Sequence, residues 1–221
     1  MSWSDRIIAD MASSSSFDAG QLAGAGIILA LHRASLGMEI DNSANPRAAL
    51  AESAGLLFGY YMLPRKAHDP VEQLNATLSA ITLTPKRKLV IDWEGDTDAL
   101  LPTFDQIFTI ASAYQAQTGD AHPIIYGGNA QLGNLTDAQT AQLQSIGAYL
   151  WYARYRTQPI GIPDAPFSIF WQDACPDDDG CHNGMLPIPG NRGADYSRYN
   201  GPAGDLSAGW PFSASPAPTA P

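Results

Sequence analysis

Two carboxylates, Asp92 and Glu94, stand two residues apart at the end of the apolar run 89–93. Side chains alternate along a strand, so these two should point to the same side, with their α-carbons about 6.6 Å apart. Two like charges at the end of an apolar strand cost free energy unless they are solvated at the mouth of a pocket or take part in chemistry there. Because paired carboxylates in different environments perform acid–base chemistry on sugars, the pair predicts such a site.

Polar and aromatic side chains also end other apolar runs of the chain. Asp10 ends the first run and Asp195 lies in the last, while the runs between them end in rings, namely Tyr61, Tyr126, Trp151 and Trp171. A single Asp at a strand end is more often a turn or cap residue, and a single ring is more often packing. Parallel α/β barrels, however, carry their sites at the C-terminal ends of the strands. Four acids and several rings at one barrel mouth would suit a glycan, since sugars offer apolar faces to rings and hydroxyls to acids.

The elements that must position these residues alternate along the chain. Apolar runs predict strands at 6–10, 26–31, 55–61, 89–93, 123–127, 148–153 and 167–172, with an eighth around 194–196. Helical patterns lie between them at 17–25, 46–53, 100–117, and from Asp69 and Thr136 onward. Near-continuous apolar strands alternating with helices favour a parallel sheet or a barrel, and the helical signal fades after Tyr152. We therefore expect one α/β domain over residues 1–210, followed by a Pro/Ala-rich tail or linker over 211–221.

Composition narrows the possible partners. The 221 residues are 45% apolar and 15% charged, which indicates a folded chain, and the net charge of −10 argues against nucleic acid or an anionic membrane. No apolar run approaches the roughly 20 residues of a membrane span, so we expect no membrane insertion. The N-terminus shows no basic segment followed by a long apolar one, which predicts no secretory signal.

The two cysteines, Cys175 and Cys181, flank a short acidic loop. A small disulfide-closed loop and a pair of free thiols are both compatible with this spacing. No second Cys or His pair stands at ligand spacing, so we expect no metal site.

The order of the motifs resembles glycoside hydrolase family 25, the Chalaropsis-type lysozymes or N-acetylmuramidases. The resemblance covers roughly residues 5 to 205. The segments that carry it are Ile7-Ile8-Ala9-Asp10, Ala25-Gly26-Ile27-Ile28, Gly59-Tyr60-Tyr61, Asp92-Trp93-Glu94, Ile125-Tyr126, Leu150-Trp151-Tyr152-Ala153-Arg154-Tyr155, Trp171-Gln172, and Asp195 with Asn200-Gly201.

The resemblance implies an irregular TIM-like (β/α)5(β)3 barrel that cleaves the β-1,4 bond between N-acetylmuramic acid and N-acetylglucosamine. It implies that Glu94 donates the proton to the leaving oxygen and that Asp92 orients the substrate acetamido group. By the same resemblance, Asp10 and Asp195 complete the catalytic set. The implied substrate-binding rings are Tyr61, Tyr126, Trp151 and Trp171. The nucleophile is then the acetamido oxygen of the substrate, and no metal or cofactor is required.

The chain departs from the family pattern at several positions. Leu36 stands where many members have an acid, Met62 replaces a common His, and Ser13–Ser16 replace a segment leading to a Trp. The long segment 173–192 is a further difference. These changes predict a reshaped groove and an altered specificity.

The leading hypothesis is thus a monomeric muramidase that acts on bacterial peptidoglycan at the cell wall. The missing signal would suit a phage-encoded lysin or an enzyme released by another route. One alternative is a glycan-binding module on the same barrel that does not cut. Another is a glycosidase for a different polysaccharide, because a fold does not fix a function.

Overall fold

The computed structural model of the chain describes residues 3–95, 97, 99–156, 158–159, 168–175 and 188–212. The strands are Trp3–Met11 (β1), Leu29–Leu36 (β2), Glu39–Ile40 (β3), Leu57–Leu63 (β4), Arg87–Asp92 (β5), Ile124–Gly128 (β6), Tyr149–Ala153 (β7), Ser168–Ala174 (β8) and Asp195–Asn200 (β9). The helices are Ala19–Gly24 (α1), Ala44–Ser53 (α2), Pro70–Ala80 (α3), Phe104–Thr118 (α4), Asp137–Ser145 (α5) and Ala203–Gly209 (α6).

Eight of the strands close into a barrel in the order β1-β2-β4-β5-β6-β7-β8-β9. Neighbouring pairs from β1 through β8 are parallel, whereas β9 runs antiparallel to both β8 and β1. Helices α1 to α5 connect the first six parallel barrel strands, and no helix occurs between β7 and β9 among the residues described there. The predicted (β/α)5(β)3 barrel is confirmed.

Local sequence signals explain where several helices begin. Asp69 caps α3, its carboxylate accepting from the backbone N–H groups of Val71 and Glu72, and Pro70 follows it at the first helical position. Thr103 and Thr136 begin α4 and α5 with reciprocal capping boxes, in which a Gln three residues on bonds back to the cap. The outward faces of the strands pack against these helices and form the larger of two hydrophobic clusters.

The segment after α6 fills the end of the barrel at which the parallel strands begin. Trp210 and Phe212 are buried with Phe170, Val90 and other inward side chains. The indole N–H of Trp210 donates to the carbonyl oxygens of Phe58 and Lys86, and the buried Lys88 ammonium donates to the Pro211 carbonyl. Two residues that the sequence assigns to the tail, Pro211 and Phe212, therefore pack with the barrel.

An ionic cluster ties together the strands that close the barrel. The Asp173 carboxylate on β8 is 1% exposed and accepts both Nε and Nη2 of Arg6 on β1 at 2.9 Å. Nε of Arg198 on β9 donates to the same carboxylate at 2.8 Å. Bidentate guanidinium contacts fix geometry as well as charge, so this cluster holds β1, β8 and β9 in register.

Several elements differ from the sequence-based prediction. The second strand was predicted at 26–31, but β2 begins at Leu29 and continues past Leu31. Its polar residues His32, Arg33 and Ser35 all form hydrogen bonds within the protein. Strand β9 likewise extends through polar residues to Asn200, and neither the β3 hairpin strand nor helix α6 was predicted. Hydropathy misses such segments because it registers apolar runs alone.

Among the described residues, no helix is long and apolar enough to cross a membrane. Cys175 is disulfide-bonded, and Cys181 lies outside the described residues together with 176–187 of the long segment.

Candidate active site

The four predicted acids meet at one end of the barrel. Asp10 is the penultimate residue of β1, Asp92 ends β5, and Glu94 follows two residues later. Asp195 is instead the first residue of β9. Because β9 is antiparallel, its start lies at the end where the parallel strands finish, and the α-carbon of Asp195 pairs directly with that of Asp10.

Trp93 determines the direction in which its two acidic neighbours point. Its backbone N–H continues the ladder by donating to the Tyr126 carbonyl at 2.8 Å. Its buried ring packs on Phe104 of α4, and its indole N–H donates to the Pro102 carbonyl at 2.8 Å. Since Trp93 points out toward the helix layer, alternation turns Asp92 and Glu94 inward.

Gly95 allows a close approach of the chain just after Glu94. A Cβ at this position would lie 2.7 Å from the backbone nitrogen of Leu101 and 2.8 Å from its Cα. Backbone atoms cannot move aside as the end of a side chain can, so any other residue would displace the segment that carries Glu94.

The inward side chains line a cavity of about 100 Å³. Its lining consists of Asp10, Tyr61, Asp92, Glu94, Tyr126, Trp151 and Asp195. Tyr126 and Trp151 stand edge to face with 4.7 Å between ring centroids, and the Trp151 indole N–H donates to Ser197 Oγ at 3.0 Å. The structure thus brings together all four predicted acids and three of the four predicted rings.

Trp171 is the predicted site residue that does not reach this cavity. Its ring contacts Trp3 edge to face, its indole N–H donates to the Arg154 carbonyl, and the Arg198 guanidinium lies 5.7 Å from its ring centroid. Along β8 the neighbours Phe170 and Gln172 point into the barrel, so alternation turns Trp171 outward. The expectation that Trp171 binds substrate is at odds with this position.

Gln172, which belongs to a matched segment but was not predicted as a site residue, connects the acids to the rings. Its Oε1 accepts the hydroxyls of Tyr126 at 2.5 Å and Tyr155 at 3.0 Å. With Oε1 committed to two donors, the amide NH₂ faces the other way, and Nε2 donates to Asp10 Oδ2 at 3.1 Å. Tyr155 is 42% exposed at the mouth, where a ligand could reach its ring.

The acids raise one another's proton affinity. Burial raises the pKa of Asp10 well above its usual range, the charges of Asp195 and Glu94 add to this rise, and the hydrogen bond from Gln172 opposes it. Burial and the charges of Glu94 and Asp10 likewise raise the pKa of Asp92, against the opposing charges of Arg65 and Arg33. Asp10 and Asp92 therefore keep their protons to a higher pH than carboxyl groups in water do, which is typical of acid–base sites.

The tyrosine hydroxyls of the site stay protonated. Burial raises the pKa of Tyr61 and of Tyr126, and the nearby carboxylates raise both further. Both side chains therefore remain neutral at any ordinary pH.

One oxygen at the cavity, Oδ1 of Asp92, lacks a hydrogen-bond partner in the described part of the chain. Asp92 is 7% exposed, and its Oδ1 is buried without a hydrogen bond to any residue that the structure describes. A buried acceptor without a donor costs free energy, so this atom is available for a donor on a ligand. No group of three or more His, Cys, Asp or Glu suited to hold a metal occurs in the described part of the chain.

No protein-family model matches the chain, and no curated protein matches it in sequence. Solved structures match its fold. A bacterial lysozyme from Streptomyces coelicolor is 19% identical at a TM-score of 0.68, over 96% of this chain and 100% of that one. A family 25 glycosyl hydrolase from Bacillus anthracis is 13% identical at a TM-score of 0.70, over 94% and 95%. A family GH25 lysozyme from Aspergillus fumigatus is 20% identical at a TM-score of 0.66, over 90% and 97%. The chain has the fold of these glycosyl hydrolases along nearly its whole length.

Proposed function

We propose that the chain is a peptidoglycan hydrolase of glycoside hydrolase family 25, cleaving the β-1,4 bond between N-acetylmuramic acid and N-acetylglucosamine. Structures described as lysozymes share its fold over 90% or more of the chain. The four acids and three of the four rings expected from the motif order line one cavity at the barrel end where such sites lie. Both lines of support are independent of sequence identity, which is low.

The unpartnered Oδ1 of Asp92 carries the proposal. When Asp92 is ionised this oxygen only accepts, so a ligand that satisfies it supplies a donor. The acetamido N–H of an N-acetylated sugar is such a donor, and it lies next to the carbon at which the glycosidic bond breaks. Accepting this N–H turns the acetamido carbonyl oxygen toward that carbon.

Bond cleavage then follows in two steps. Glu94 donates its proton to the glycosidic oxygen while the acetamido oxygen attacks the anomeric carbon, which forms a cyclic oxazolinium ion and releases the leaving sugar. Glu94, now a carboxylate, takes a proton from water as the water opens that ring, so the anomeric configuration is retained. Because Asp92, Asp10 and Glu94 repel one another as carboxylates, the acid set favours keeping a proton at the cavity before the first step.

The remaining residues stabilise charge and hold the sugars. Asp10 and Asp195 surround the positive charge of the intermediate with negative potential. Tyr61, Tyr126 and Trp151 offer ring surfaces to the sugar faces, while Trp171, on the outer side of β8, is left out of the proposed site.

The test compares the wild-type protein with Glu94→Gln on purified peptidoglycan and on a β-1,4-glucan that lacks acetamido groups. We expect the wild type to release new reducing ends from peptidoglycan only, and Glu94→Gln, which has the same shape but no acid, to bind peptidoglycan without cutting it. Binding without release by the wild type would identify a glycan-binding module instead. Release from the glucan would indicate a different glycosidase.

A further inference from the structure

A second cavity opens beside the carboxylate site. Its volume is about 370 Å³, and it is lined by Ala12, Ser14, Ser15, Ser16, Arg192 and Gly193. These residues form the loop that leaves β1 and the loop that enters β9. The site described above uses none of them.

The two loops are bonded to each other into a fixed wall. Ser15 Oγ donates to the Gly193 carbonyl at 2.8 Å and accepts the Ala12 N–H at 3.2 Å. The backbone N–H of Arg192 donates to Ser16 Oγ at 2.7 Å, and the Ser16 N–H donates to the Arg192 carbonyl at 3.1 Å. A wall so connected is preorganised and loses little freedom when a ligand binds.

Arg47 on α2 holds the same wall from behind. Its Nη1 donates to the Ala12 carbonyl at 3.0 Å and its Nη2 to the Ser15 carbonyl at 2.7 Å. Nη1 also donates to Nε2 of His32, whose pKa burial lowers to about 4, so His32 stays neutral and keeps accepting this bond near neutral pH. The serine loop is thus fixed on both sides.

This cavity lies within reach of a substituent on a sugar bound at the acids. Ala12 follows Asp10 by two residues, and Gly193 precedes Asp195 by two. Two residues of extended chain span about 7 Å, so each of the two loops starts about the width of one sugar ring from the carboxylates.

The wall offers donors and positive charge. Arg192 is exposed and forms no ion pair with any residue that the structure describes. Ser14 and Ser16 place hydroxyls beside it. Next to this loop, Nη2 of Arg33 donates to Ser13 Oγ at 3.0 Å, while its Nε lies 4.0 Å from Asp41 Oδ2, so Arg192 is the charge that remains for a ligand. Guanidinium groups with adjacent hydroxyls suit carboxylates and peptide carbonyls.

We propose that this cavity binds the anionic peptide carried by the muramic acid of peptidoglycan, with Arg192 paired to a peptide carboxylate. The inference rests on the proposed function, because it takes the glycan to lie at the four acids. It also explains how a chain with a net charge of −10 accepts an anionic substituent beside an acidic site.

The test uses two matched substrates: glycan strands that carry their peptides, and the same strands after an amidase has removed the peptides. The measured quantity is the ratio of kcat/KM on peptide-bearing strands to kcat/KM on stripped strands. We expect a wild-type ratio of about ten, a ratio near one for Arg192→Ala, and an intermediate ratio for Arg192→Lys. Lys86→Ala, which removes an exposed charge before β5 at the opposite end of the barrel, should keep the wild-type ratio.

Binding affinity gives a second readout, measured with the Glu94→Gln variant so that neither kind of strand is cut. Adding Arg192→Ala to this variant should weaken binding of the peptide-bearing strands and leave binding of the stripped strands unchanged. A wild-type ratio near one, or an unchanged ratio in Arg192→Ala, would overturn this inference while leaving the proposed hydrolase intact. A wild type that cuts neither strand would instead remove the proposed function, and this inference with it.

Discussion

The acidic site should lower the stability of the fold near neutral pH, and Asp10→Asn should relieve part of that cost. Burial and the charges of Asp195 and Glu94 raise the pKa of Asp10 in the folded protein. The folded state therefore holds the Asp10 proton more tightly than the unfolded chain does, and stability falls as pH rises above the unfolded value near 4. Asn removes the charge and keeps an oxygen that can accept from Gln172.

The size of the effect follows from strand pairing. Asp10 and Asp195 are directly opposed across β1 and β9, which places their charges about 5 Å apart. At that distance and an effective dielectric constant of about 20, their repulsion is about 3 kcal/mol. Weakening the hydrogen bond from Gln172 offsets about 1 kcal/mol. The net gain for Asp10→Asn is therefore about 2 kcal/mol, or about 4–8 °C in Tm for a chain of this size.

Thermal unfolding of wild type and variant, at pH 7.5 and again at pH 4, measures this gain. We expect the stabilisation at pH 7.5 to shrink toward zero at pH 4, where the wild-type carboxyl is protonated as well. Asp5→Asn removes an equal charge from an exposed position on the same strand and should change stability by less than about 0.5 kcal/mol. An Asp10→Asn variant that is no more stable at pH 7.5, or that gains as much at pH 4, would refute the electrostatic reasoning.

Three further perturbations test the parts that position the site. Gln172→Leu removes the donor to Asp10 and the acceptor of two tyrosine hydroxyls, so kcat should fall about 10- to 100-fold. The part of the pH–rate profile that reports Asp10 should also move to higher pH, because the hydrogen bond from Gln172 lowers the pKa of Asp10. A profile that does not move would contradict this role of Gln172. Gly95→Ala should push the Glu94 segment off the Leu101 backbone and lower kcat at least about tenfold with the protein still folded, whereas Gly24→Ala, where a Cβ meets open space, serves as its control. Asp173→Ala leaves two partly exposed arginines without their buried carboxylate and should lower the free energy of unfolding in urea by about 2–3 kcal/mol. A loss below about 1 kcal/mol would show that the cluster does not hold the barrel closed.

The sequence predicts the parallel part of the barrel well because its strands are apolar runs between clear helix signals. Residues such as Asp69 and Thr136 act at short range, so the helix starts that they imply are confirmed. The closing strands are different. Strand β9 is largely polar, and its antiparallel direction depends on contacts with β1 and β8 that no local pattern encodes.

The same limit applies to the site. Asp92 and Glu94 could be placed on one face because alternation relates residues of a single strand. Asp195 reaches the cavity for a reason other than the one used to predict it, since it begins an antiparallel strand instead of ending a parallel one. On β8 the aromatic residue attracted the prediction, yet Gln172 faces the acids and Trp171 faces out. The inward direction of Phe170 determines that Gln172 points inward and Trp171 outward, but the direction of Phe170 is known only from the folded structure.

The cavity lined by the four acids is proposed to cleave the glycosidic bond of N-acetylmuramic acid. The identity of the new reducing end tests this proposal most directly. Purified peptidoglycan is digested with the wild-type protein, the products are reduced with borohydride, and the reduced sugars are identified by mass spectrometry. We expect N-acetylmuramitol at the new ends, and no new ends with Glu94→Gln. N-acetylglucosaminitol at the new ends, or no new ends from the wild type, would contradict it.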